Sequence, residues 1–226
     1  MKTDGNSQLN QQQSKAQLSQ PLPQKYWMTL LKDNLLISIA IAGMFLALII
    51  VLKHSFSFWK VFGGYSIQMF LVVYFVGLYI IKNKVVSVAF LVTTPAILLL
   101  VKPPSTIISP MQIFVEYFVA FLIFGLTYLV LPLTKYLKQR ILSPKWSKVA
   151  EVSTLTLCYF VILVLKFLVH WVAGFLYWDQ KVWDSFTFNL TASLANNALT
   201  IPVFALICPV VLVCNTKLSE NLALKY

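Results

Sequence analysis

The chain has 226 residues, 59% of them hydrophobic and 11% charged, with mean hydropathy +0.78 and a formal net charge of +11. Soluble domains carry about 25% charged residues, so a water-soluble fold is excluded and a polytopic membrane protein is indicated. The basic residues stand beside apolar runs rather than in one patch, which sets nucleic acid aside as a partner.

In chain order, residues 1–24 read MKTDGNSQLNQQQSKAQLSQPLPQ. This stretch is rich in Gln and Ser and has no apolar centre, so it is not a signal peptide and is expected to be a disordered polar tail. Residues 25–226 are expected to form one membrane domain. Its apolar runs fall at 34–52, 61–81, 85–101, 111–133, 149–176 and 186–214. Runs this long cross a bilayer as helices, because a helix satisfies its own backbone hydrogen bonds. The fold class expected is therefore an all-α membrane protein with six transmembrane helices. In the first run Gly43 and Ala47 form a small-xxx-small pair that lets another helix approach closely. The third run contains Pro95, and the last contains Pro202 and Pro209, either of which could kink it. Cys158, Cys208 and Cys214 all lie inside apolar runs at spacings that fit no metal site, and they read as small hydrophobes.

The connections set direction. Lys135, Lys138, Arg140, Lys145 and Lys148 lie between the fourth and fifth runs, and Lys82 and Lys84 between the second and third. With six helices these fall on the same side as the lysines of the two termini, while the other side has Lys53, Lys60, Lys102 and Lys181. Both termini are expected to be cytoplasmic.

Of the seven acidic residues, Glu116 alone lies well inside a run, in MQIFVEYFVAF. An ionisable group in a span is costly, faces the protein interior and marks function; its structural alternative is an ion pair with Lys166. The stretch KFLVHWVAGFLYW carries Lys166, His170, Gly174 and Trp178 at spacings of four, which is one stripe of a helix. Asn189, Ser193, Asn196 and Thr200 follow along one face of the last run. In the six-helix topology these groups share the outer half of the membrane with Trp59, Tyr117, Trp171, Tyr177 and Trp183. One carboxylate, neutral hydrogen-bonding groups and aromatic faces suit a flat heteroaromatic ligand, including a cationic one. No serine–histidine elbow, HExxH pattern, metal-binding acid cluster or P-loop is present in the sequence, so no catalytic residues, metal or cofactor are expected, and ATP hydrolysis belongs elsewhere.

Over about residues 34–215 these features resemble the thiamine-specific substrate-binding (S) components of energy-coupling-factor (ECF) transporters. VEYFVAF resembles the family's glutamate–tyrosine segment, HWVAGFLYW its histidine, glycine and tryptophan, and ASLANNALTIP its asparagine segment. Trp59 before Gly63–Gly64 resembles the loop tryptophan that covers the site. The resemblance implies that Glu116, Tyr117, His170, Gly174, Trp178, Asn196 and Trp59 contact thiamine. It also implies that Gly43 and Ala47 dock on a transmembrane coupling subunit, and that two ATPase subunits supply energy at the plasma membrane. The chain departs from the family where Thr191 replaces a tyrosine. An S component for a riboflavin-like or pyridoxine-like vitamin, an intramembrane enzyme using Glu116 and His170 as acid and base, and a purely structural membrane protein are the competing readings.

Overall fold

The computed structural model describes residues 24–56, 60–61, 65–101, 109–140, 144–177 and 181–223. The tail expected over residues 1–24 lies outside these, apart from Gln24. Two compact units divide the chain, Met1–Ile37 and Ser38–Tyr226, and the second holds the core and the cavity described below.

Among the described residues six helices follow one another. Helix α1 is Gln24–Ser55, α2 is Phe70–Ile80 and α3 is Lys84–Val101. Helix α4 runs over 110–140, α5 is Pro144–Tyr177 and α6 is Val182–Ala223. Between α1 and α2 a two-stranded antiparallel pair, β1 (Lys60–Val61) and β2 (Tyr65–Ser66), sets Lys60 opposite Ser66 and Val61 opposite Tyr65. Helix α4 is not uniform. Ser109 caps it, its Oγ accepting the Gln112 N–H at 3.2 Å with Pro110 in the first turn. A π-helical turn then spans Phe114–Val119, and a 3₁₀ turn spans Ile123–Leu126.

Five segments are long and apolar enough to cross a membrane: Leu35–Ser55, Lys84–Val101, Pro110–Thr134, Trp146–Tyr177 and Val182–Cys214. The second apolar run is corrected by the structure. The expected span over 61–81 contracts to Phe70–Ile80, whose 11 residues extend about 16 Å at 1.5 Å per residue. The two strands occupy the start of that run instead, and Gly63 and Gly64 stand in sequence between them, residues that hydropathy counting passes over but that disfavour helix. The last helix continues through Pro202 and Pro209 without a break in assignment.

The short helix is the centre of the bundle, with nine of its 11 residues buried. Tyr74 packs its ring against Phe90, Phe121 and Phe124 with centroids 5.1–5.6 Å away. Phe75 meets Tyr159 and Phe204 edge-on. The Tyr74 hydroxyl donates to the Leu91 carbonyl at 2.8 Å. That carbonyl is four residues before Pro95, which has no N–H to bond it, so a side chain of α2 supplies the donor that α3 lacks. Gly77 lets α3 and α1 approach: a Cβ there would stand 2.9 Å from Phe90 Cε1 and 3.3 Å from Phe45 Cγ.

Helix α1 contributes Ile41, Ala42, Phe45 and Ile49 to this core. Its opposite face, with Ile39, Gly43, Met44, Ala47 and Leu48, is exposed. Exposed apolar side chains also line the outer faces of α3, α5 and α6, for example Leu100, Leu157 and Leu206. Lipid tails are as apolar as leucine, so such faces carry no penalty in a bilayer.

Candidate functional site

Helices α5 and α6 meet closely at the turn that joins them. The Ser185 hydroxyl donates to the Trp171 carbonyl at 2.9 Å, and Trp171 Nε1 donates to the Val182 carbonyl at 3.1 Å. Trp171 and Phe167 lie edge-on to Phe186. Gly174 permits this approach, because a Cβ at that position would overlap Ser185 Oγ. The space beside Gly174 is therefore occupied by Ser185.

One turn earlier in α5 the two helices part around a cavity of about 120 Å³. Leu163, Lys166, Phe167 and His170 line it from α5, at the spacing of one helical face. Asn189, Ala192, Ser193, Asn196 and Asn197 line it from α6, and Gln68 and Leu71 close it from the start of α2. A bond network fixes the wall. Lys166 Nζ donates to Gln68 Oε1 at 3.2 Å, and the Gln68 backbone N–H donates to Asn196 Oδ1 at 2.9 Å. Asn196 Nδ2 donates to the Ala192 carbonyl at 3.0 Å, and Asn189 Nδ2 to the Ser185 carbonyl at 2.9 Å. The Lys166 ammonium is thus held by a neutral amide, not by Glu116.

Glu116 and Tyr117 stand half-buried in the π turn of α4, which packs against α3 and α5. Gln112 Nε2 donates to Glu116 Oε2 at 3.4 Å. A π turn adds a residue to the helical repeat and re-aims the side chains after it, and such turns collect at functional sites. Neither residue lines the 120 Å³ cavity. Of the residues the sequence singled out, the cavity brings together His170 and Asn196, with Lys166, Asn189 and Ser193. Trp59 and Trp178 lie outside the described residues. Gly43 and Ala47 sit on the exposed face of α1, and no atom comes within 4 Å of a Cβ built on Gly43. Trp183 is 74% exposed, as a residue of an interfacial belt would be. Thr191 is exposed and donates to its own helix at Thr187, so it is turned from the cavity.

Residues 39–223, most of the chain, match the family described as thiamine transporter protein. The chain belongs to the thiamine transporter family. It is a multi-pass membrane protein, with five of its helices long and apolar enough to cross. A solved structure similar to it is ThiT from Listeria monocytogenes, at 18% identity and a TM-score of 0.57, covering 81% of this chain and 97% of that one. At that identity the likeness is one of fold. No curated protein matches the chain.

Two polar residues of this transporter's cavity escape a reading of the sequence. Gln68 falls inside the apolar run assigned to a span, so its polarity reads as a lapse in hydropathy; its position just after GGYS was the available signal. Asn197 sits beside Asn196 and is masked by it, although 189, 193 and 197 form a strict four-residue row. Among the described residues no group of three His, Cys, Asp or Glu side chains could hold a metal ion.

Proposed function

We propose that this chain is the substrate-binding component of an ECF transporter, capturing thiamine in the cavity between α5, α6 and the start of α2, with both termini in the cytoplasm. The observation that carries the reading is a polar, hydrogen-bonded cavity inside an apolar bundle, in a chain of the thiamine transporter family. His170 and Asn196 orient the ligand through hydrogen bonds. Glu116 accepts from the aminopyrimidine ring, and its place in a π turn gives α4 the means to reach beyond its regular face. Tyr117 and Trp178 present aromatic faces to the rings and to the thiazolium charge. Trp59 covers the mouth, and Gly174 sets the spacing of the α5–α6 wall.

The chain carries no P-loop, so energy comes from partners. Gly43 and Ala47 on the open face of α1 dock on a transmembrane coupling subunit, which two ATPase subunits drive. Titration of the purified protein with thiamine, followed by tryptophan fluorescence, tests the reading. Quenching at micromolar thiamine or below, lost in Glu116→Gln, is the expected result. Quenching by a riboflavin-like or pyridoxine-like vitamin and not by thiamine would overturn the assignment.

A further inference from the structure

Gln68 stands two residues after β2 and two before α2, and its N–H, its carbonyl and its side-chain oxygen go to three different helices. The carbonyl accepts the Leu71 N–H of α2 at 3.0 Å. Met69, at the cap of α2, supplies no side-chain bond, so the backbone of Gln68 meets that first turn. The Gln68 N–H donates to Asn196 Oδ1 of α6 at 2.9 Å, and Oε1 accepts from Lys166 Nζ of α5 at 3.2 Å. An ammonium only donates, so the oxygen end of the Gln68 amide is the end that faces Lys166. These two partners lie 128 and 98 positions away in the chain, and both line the cavity. A lysine carries its charge on a flexible four-carbon stem with three rotatable donors. Without an acceptor at Gln68 the ammonium would range through the cavity.

We infer that Gln68 is a positioning residue of the cavity, holding the Lys166 ammonium and the Asn196 carboxamide in place before the ligand arrives. Asn196 is bonded through its oxygen to Gln68 and through its nitrogen to Ala192, so its rotamer is fixed from both sides. A side chain already held loses no further freedom on binding, whereas a loose one must be ordered at that moment. Gln68 also ties the strand pair that leads into α2 to both walls, α5 and α6, through one residue. The identity of the ligand rests on the thiamine reading; the role of Gln68 rests on its hydrogen bonds.

The test is a double-mutant cycle on the full chain, read by thiamine titration. Gln68→Leu weakens thiamine about fivefold, the ordering cost of one long side chain. In the Lys166→Met background the same substitution costs no further affinity, because no ammonium remains to be held. Gln68→Glu keeps an acceptor at the same reach and recovers most of the loss. A residue that only stabilised the fold would give no loss of affinity, or the same loss in both backgrounds. Either result overturns the inference, as does a Gln68→Glu protein that binds as weakly as Gln68→Leu. Gln68→Met, which keeps the length and removes the acceptor, carries the comparison if Gln68→Leu does not fold. A wild-type protein that ignores thiamine but binds another vitamin sinks the thiamine reading alone. The cycle is then run with that vitamin, where a loss confined to the Lys166 background upholds the positioning role and any other pattern overturns it. A wild-type protein that binds no vitamin overturns both.

Discussion

Replacing Tyr74 by Phe removes one oxygen from the middle of the bundle and keeps the ring against Phe90, Phe121 and Phe124. The lost hydroxyl is the donor to the Leu91 carbonyl, which Pro95 cannot serve. A buried carbonyl left without a donor costs about 1–3 kcal/mol. For a domain of this size each kcal/mol moves the melting midpoint by roughly 2–4 °C, so a drop of several degrees is expected for the purified protein in detergent. The decisive control is Pro95→Ala in the Tyr74→Phe background. Alanine restores a backbone N–H at position 95, that N–H bonds Leu91, and the double variant regains most of the loss. Pro95→Ala alone is close to neutral, because the Leu91 carbonyl has two lone pairs. Thiamine affinity stays at the wild-type value throughout, since Tyr74 does not line the cavity. A Tyr74→Phe protein that melts with the wild type, or a loss that Pro95→Ala fails to recover, would refute the account of why this proline is tolerated.

Other outcomes follow from the same contacts. Gly174→Ala forces α5 from Ser185 and is expected to cost about 1–3 kcal/mol of stability along with thiamine affinity; adding Ser185→Ala should recover part of both, read by melting and titration. Gln68→Leu takes the side-chain acceptor from the Lys166 ammonium and should lower the ligand-free melting midpoint by about 1–3 kcal/mol equivalent, while Gln68→Glu, which keeps an acceptor, should not. Gly43→Leu fills the open face of α1 without touching the cavity. It should leave thiamine binding of the isolated chain intact and abolish uptake by the assembled transporter, measured with labelled thiamine in cells.

The helices were legible because lipid imposes a minimum apolar length, and five of the six runs met it. The second did not, since hydropathy adds Phe, Val and Ile without regard to whether they lie in a strand or a helix; the run over 61–81 was apolar enough but held two glycines. The face of α6 bearing Asn189, Ser193 and Asn196 could be read from spacing alone. What spacing could not supply was the state of each amide, which depends on Gln68, a residue 128 positions away from Asn196 in the chain. The same limit applied to Lys166: the sequence offered Glu116 as its natural counter-ion, and the fold delivered an amide from the start of α2. Spacing put Gly174 on the stripe of Lys166 and His170, but it could not show that the neighbour packed against it is a serine of the next helix.

The brevity of α2 has a geometric consequence for what this transporter can hold. A hydrocarbon layer is about 30 Å thick, and a buried rod of about 16 Å has the length to cross only about half of that column. The cavity begins where the rod stops, at Gln68 and Leu71. Its floor is therefore the first turn of α2, and the volume on offer is governed by where that helix starts. A chain that began α2 one turn earlier would fill the column with its own side chains. A later start would deepen the hollow, giving selection a single coordinate along which to fit the pocket to a larger or smaller guest.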